Sequence, residues 1–159
     1  MDEVTLSTIL ISDPFCQNVF KGTYPANEII KQTFTFPAAY IINTANSYSI
    51  GKHWLVIFLE KKCKNKIHAY IFDSLGGDLN KLSEAIKISL FGMSVSKNTH
   101  QYQGFNSNSC GLFCLYYIKL RCRGFSNLAT LNTLYKNDFL RNERIIKEFI
   151  LTPYLKTYK

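Results

Sequence analysis

Residues 53–60, HWLVIFLE, and residues 67–73, IHAYIFD, flank the polar turn 61–66, KKCKNK. Both runs are rich in aromatic and β-branched residues and too short for a helix, so they predict an antiparallel hairpin with a six-residue loop. Upstream, Ala39 to Asn43 reads as a short buried strand, and residues 15–37, with Gly22, Pro25 and Pro37, read mainly as loop. Val4, Leu6, Ile9 and Leu10 predict a short amphipathic helix over Glu3–Ser12 that ends at Asp13-Pro14.

Downstream, Gly76-Gly77 closes the hairpin unit. Leu79, Leu82, Ile86, Leu90 and Phe91 have helical spacing, with Gly92 where a C-cap belongs. A further strand is expected within Val95–Tyr102. The loop QGFNSNS, residues 103–109, then enters a helix from Cys110 to about Arg121, apolar almost all round and therefore expected to be buried. Leu128–Tyr135 and Asn137–Leu151 predict one or two more helices, the last amphipathic and basic. The element order is α+β: a small mixed or antiparallel sheet packed by helices, in one domain spanning 1–159.

Composition narrows the function classes. With 47% apolar and 14% aromatic residues the chain is not disordered. No apolar run approaches the roughly 20 residues that span a bilayer. The opening MDEVTLSTIL lacks a secretory signal's basic region and cleavage site, so an intracellular, soluble protein is expected. The five cysteines, at 16, 63, 110, 114 and 122, are odd in number and form no C-x-x-C pair. They predict reduced thiols, with neither a disulfide framework nor a metal site; a zinc protein is a remote alternative. Residues 111–159 carry nine Lys/Arg against three Asp/Glu, whereas residues 1–110 carry ten against eight. A basic C-terminal third can hold a polyanion through phosphate contacts, or can simply be solvated helix faces.

The candidate chemistry centres on Cys110. A thiol attacks as thiolate, and a helix N-terminus and a neighbouring His⁺ both favour that form. Cys110 sits where loop becomes helix, with Ser109 or Asn108 available as N-cap. Gly111 leaves no side chain beside it, so a substrate backbone can come close. Cys114 and Cys122 lie deeper in the same helix, where thiols are usually inert. His53 begins the stronger strand and Asp73 ends the next, so the hairpin can bring a carboxylate beside an imidazole, as in a Cys-His-Asp triad. His68 alternates with Tyr70 and Phe72 and reads as structural, while His100 remains a second candidate base. Gln103 can aim its amide N–H at a developing oxyanion, joined by the backbone N–H of Cys110.

His53-Trp54, Phe72-Asp73-Ser74 and the segment Gln103-Gly104-x-Asn106-Ser107-x-x-Cys110-Gly111-Leu112-Phe113-Cys114 resemble the active-site segments of the adenovirus maturation protease family, the adenains. Gly22-Thr23-Tyr24, Ile42-Asn43-Thr44-Ala45 and Leu140-Arg141-Asn142 extend the likeness over most of the chain in one order. The resemblance implies an adenain-like fold and an endopeptidase that matures viral precursor proteins at small Gly-containing sites. In it Cys110 is the nucleophile, His53 the base, Asp73 the orienting carboxylate and Gln103 the oxyanion donor. Trp54 walls a Gly-selecting groove or is an ordinary core indole. The likeness also implies stimulation by DNA without an obligatory cofactor, a monomer with no membrane association, and residence in the virion and infected cell, in nucleus or cytoplasmic viral factory.

The chain departs from the family in two ways. Asp73 stands where the adenovirus enzymes commonly have Glu, and Phe-Asp-Ser resembles the SUMO-specific proteases. The adenovirus activator peptide is disulfide-linked to a Cys before the Gln, but residues 64–109 hold no Cys, so a peptide activator linked at that place is not expected. The short chain and its Lys/Asn/Ile-rich composition point toward a virophage or Maverick-type element. The competing readings are a deconjugating protease of SUMO or ubiquitin-like modifiers and a non-catalytic basic nucleic-acid-binding module.

Overall fold

A computed structural model describes residues 1–28, 35–44 and 53–155, with side chains described to Thr152. Part of the expected loop 15–37, Ala45 of the family-like run and the basic residues Lys156 and Lys159 lie outside the described residues.

Five strands form one mixed sheet in chain order: β1 (Phe20–Pro25), β2 (Ala38–Asn43), β3 (Trp54–Lys61), β4 (Ile67–Phe72) and β5 (Ser94–Lys97). β3 and β4 make the expected antiparallel hairpin, with Val56 opposite Phe72 and Lys61 opposite Ile67. β2 is antiparallel to β3, while β1 and β5 add in parallel at the two edges. Successive side chains of a strand point to opposite faces. Ala39, Ile41, Val56, Phe58 and Phe72 therefore face one core, and Ala38, Tyr40, Ile42, Leu55, Ile57, Leu59 and Ile71 face another. Both faces are covered, which is why the central strands read as unbroken apolar runs.

The first core is closed by α1 (Glu3–Ile11), α3 (Cys110–Cys122) and α5 (Phe139–Leu155), with α4 (Asn127–Leu131) alongside α3. The second is closed by the short α2 (Glu84–Ser89) through Ile86 and Leu90. The architecture is the expected α+β sheet with helices on it.

Three elements differ from the sequence expectation. β1 lies within the expected loop: Gly22 and Pro25 argue against a strand, yet both are tolerated at an edge, where the register slips between Phe20 and Gly22. The helix expected over 79–91 is a 3₁₀ turn, Leu79–Lys81, followed by α2, because Ser83 caps a new start by accepting the Ile86 N–H at 3.4 Å. The strand expected within Val95–Tyr102 ends at Lys97, because Asn98 turns inward to the end of β4.

Among the described residues no helix is long and apolar enough to cross a membrane, and no group of three or more His, Cys, Asp or Glu is placed to hold a metal ion.

Candidate active site

A cleft of about 400 Å³ is lined by His53, Trp54, Leu75, Gln103, Phe105 and Cys110, among others. Three separate backbone arrangements deliver its chemistry. His53 immediately precedes β3, where the Thr44 N–H donates to its carbonyl at 2.9 Å. Asp73 immediately follows β4. Cys110 is the first residue of α3, which packs its buried face across β3.

The hairpin register carries Asp73 to the imidazole, and His53 Nε2 lies 2.7 Å from Asp73 Oδ1. Both side chains are largely withdrawn from solvent, at 13% and 14% exposed. With Nε2 occupied by the carboxylate, Nδ1 is the ring nitrogen left for the Cys110 thiol, which is within hydrogen-bonding reach of His53. Burial alone would lower the His53 pKa, but hydrogen bonds and charge from Asp73 and Cys110 push it up to about 9. Burial alone would raise the Cys110 thiol, but the His53 hydrogen bond and a Trp54 backbone N–H bring it below its ordinary value. The two shifts run in opposite directions, each favouring the charged form of its own group.

Ser109 is the N-cap of α3, as one of the two expected candidates, but its side chain makes no capping hydrogen bond. The positive end of the helix is thus left to stabilise an anion at Cys110. Cys114, one turn deeper and fully enclosed, is pushed well above the ordinary thiol range by burial. Cys16 and Cys122 share a hydrogen bond away from the cleft, which lowers Cys16 and raises Cys122.

Gln103 is buried, and its amide orientation is unambiguous. Ser74 Oγ donates to Oε1 at 2.7 Å, and the group 2.6 Å from the Ser107 carbonyl must be Nε2, since a carbonyl only accepts. Held in this orientation, Gln103 lines the cleft. The Gln103 N–H donates to the Ser74 carbonyl at 3.0 Å, tying this strand of the cleft to the Asp73 loop. Asn142, fully buried, donates to the Tyr102 carbonyl at 2.9 Å and anchors the same segment to α5.

Trp54 is half-buried, lines the cleft and also packs on the first core. Gly111 differs from its expectation. A Cβ there would meet Leu6 at 3.2 Å and Met1 at 3.4 Å, so its missing side chain makes room for α1 rather than for a substrate backbone. His68 pairs with Ser96 Oγ at 2.9 Å and packs on Tyr70, in the structural role expected of it. His100 is exposed and is not among the cleft residues named above.

Sequence reasoning did not identify Ser74, Lys97, Asn98 or Phe105. Ser74 carried a signal, since it belongs to the family-like Phe72-Asp73-Ser74 run. Lys97 and Asn98 carried none, because the partners that tie them to the Asp73 loop lie 20 or more residues away in sequence.

The adenovirus endoprotease family model matches residues 20–135, well over half of the chain. The protease of bovine adenovirus B serotype 3 is 25% identical over 140 residues, covering 69% of this chain and 67% of that protein. The protease of bovine adenovirus 2 is 31% identical over 90 residues, covering 49% of this chain and 42% of its own. The chain therefore spans between about two-fifths and two-thirds of these relatives. The Xanthomonas campestris effector protein XopD, in a structure bound to ubiquitin, matches the fold with a TM-score of 0.52 at 11% identity, over 92% of this chain and 90% of that one. The chain belongs to the adenovirus endoprotease family of cysteine proteases.

Proposed function

We propose that this chain is a maturation endopeptidase that cleaves viral capsid or core precursor proteins at small, Gly-containing sites. The observation that carries the reading is the 2.7 Å His53–Asp73 contact, with the Cys110 thiol within reach of the same ring. The Cys110 thiolate attacks the scissile carbonyl carbon, and the oxyanion is held by the Gln103 amide N–H and the backbone N–H of Cys110. The His53 imidazolium gives its proton to the departing amine, leaving a thioester on Cys110. His53 then takes a proton from water, whose oxygen displaces the thiolate, while Asp73 keeps the ring oriented throughout. The half-buried Trp54 narrows the groove beside the nucleophile, which favours residues without side chains.

This protease works as one domain and as a monomer, in the virion and in infected cells, without an obligatory cofactor. A non-specific DNA contact through the C-terminal third would keep it near a packaged genome. Among the described basic residues of that third, Lys147 pairs with Glu143 on α5 and six others fall into two groups. Arg121 is buried, and Lys119 and Arg123 are bound to Asp13, so α3 supplies no free cationic face. Lys136, Arg141 and Arg144, at the start of α5 and just before it, are the residues that support a polyanion contact.

The test pairs Gly-containing precursor peptides with probes bearing ubiquitin-like C-termini, using the unsubstituted chain and Cys110→Ala. Peptide cleavage that vanishes in Cys110→Ala supports the reading. Labelling by the modifier probes without peptide cleavage would replace it with a deconjugating protease. Cleavage that survives in Cys110→Ala would remove the nucleophile assignment.

A further inference from the structure

Asp73 has two cationic neighbours, and the proposed triad uses only one. Oδ1 faces His53, and Oδ2 lies 3.3 Å from the Nζ of Lys97, whose side chain is 4% exposed. A lysine this deeply enclosed is costly unless fully paired. Here the ammonium donates to the Gly76 carbonyl at 2.6 Å and the Gly77 carbonyl at 3.1 Å, with Asp73 Oδ2 as its ion-pair partner. The register explains its arrival: β5 runs parallel to β4 with Lys97 opposite Ile71, two residues before Asp73.

The same contacts bind the loop that follows Asp73. Gly76 sits at φ +68°, and a Cβ there would fall 2.6 Å from the Thr99 carbonyl oxygen, so the loop is pressed against the segment after β5. Asn98 completes the clamp, accepting the Asp73 N–H at 2.8 Å and donating to the Asp73 carbonyl at 2.7 Å. Ser74 and Leu75, which orient Gln103 and line the cleft, lie inside this clamped segment. Asp73 and Lys97 also line a second cavity of about 310 Å³, together with Asp78 and Lys81.

We propose that Lys97 is a positioning residue for the carboxylate: tied to Asp73 Oδ2 and to the two glycine carbonyls, it fixes the aim of Asp73 and takes a share of its negative charge from His53. The inference rests on the Cys110–His53–Asp73 reading above. A carboxylate balanced by two cations stabilises the imidazolium less than one devoted to it alone, and Lys97 places a positive charge beyond His53 and Asp73 from the thiol. Removing the cation should therefore move both titrations upward: Cys110 ionises later, and His53 keeps its proton longer. The charged or titratable groups facing Asp73 are His53 before β3, Lys97 on β5, Cys110 and Cys114 on α3, and Asp78 and Lys81 at the second cavity.

The experiment is the pH dependence of Cys110 alkylation by iodoacetamide, which needs no substrate, followed by the alkaline limb of peptide hydrolysis. The proteins are the unsubstituted chain, Lys97→Met, Lys97→Gln and Lys97→Arg. The glutamine retains N–H donors for the glycine carbonyls without the charge, and so serves if the methionine variant does not fold. The expected result for Met and Gln is an upward shift of about half a unit to one unit in the alkaline limb and a smaller upward shift in the alkylation limb, with Arg restoring both. Folded Met or Gln variants with a lower rate but unmoved limbs would make Lys97 a structural pin and overturn the proposal. Failure of the underlying reading looks different: Cys110 in the unsubstituted chain would alkylate no faster at neutral pH than an ordinary thiol.

Discussion

At its N-terminus α3 presents a partly exposed thiol, Cys110, to the ring of His53. At its C-terminus the same helix buries Arg121 over Phe58 and Tyr70, with its guanidinium bound to Glu60 and to the Tyr117 hydroxyl. Lys119 and Arg123 flank that end and both bind Asp13, which draws the segment after α1 onto α3. Cations near a helix C-terminus complement its partial negative charge. The Cys110 end lacks the equivalent compensation, since Ser109 makes no side-chain cap. The contrast indicates a division of labour. Charge at the far end is neutralised and locked, which anchors the helix, while charge at the near end is left for an anion to satisfy.

The largest expected effect separates the two ends outright. Cys110→Ala should lower peptide hydrolysis by about a thousandfold or more, equivalent to roughly 4 kcal/mol, while the protein still folds. Cys122→Ala, in the same helix, should remain active, as steady-state hydrolysis will show. Next in size is Arg121→Met, which leaves Glu60 with Lys62 as its cationic partner and removes the stacking on Phe58 and Tyr70. It should cost about 2 kcal/mol of stability in a denaturant titration while leaving Cys110 readily alkylated. A similar loss of thiol reactivity would mean that the two ends are not independent.

Ser74→Ala should act on the near end alone. Without its hydroxyl the Gln103 amide loses the hydrogen bond that fixes its orientation, and kcat should fall about tenfold with little change in KM. The pH profile sharpens the comparison last. Activity should appear as the Cys110 thiol ionises, below its ordinary value, and decline as pH rises through about 9, where His53 loses its proton. The sign for stability follows from the raised His53 value. Its contribution is complete below the ordinary 6.5 and is lost as pH rises through about 9, which thermal melts across that window would register.

The near end was legible in the sequence and the far end was not, for a physical reason. His53, Asp73 and Cys110 stand at element boundaries, where strand and helix periodicity give way, so the hairpin register and the helix start indicate where they lie. Arg121 sits within an apolar run and counts by composition as basic surface, yet its guanidinium stacks on rings from β3 and β4. No local pattern encodes that contact, and it withdraws one residue from the cationic surface that the charge balance suggested. The close neighbour of Gly111 is hidden for the same reason, since Leu6 lies about a hundred residues earlier. The central strands were recovered because burial on both faces leaves unbroken apolar runs. The edge strand β1 was lost because an edge admits the Gly and Pro that mark loops elsewhere.

The proposed chemistry stands on Cys110 being held as a thiolate by a ring that Asp73 orients. Titrating the thiolate ultraviolet absorbance of the unsubstituted chain against Cys110→Ala and His53→Ala isolates that one group. The account predicts that Cys110 ionises below the ordinary thiol value of 9.0 and returns to the ordinary range or above once His53 is gone. A Cys110 that titrates like a free thiol, with the same midpoint in the His53→Ala protein, would contradict it.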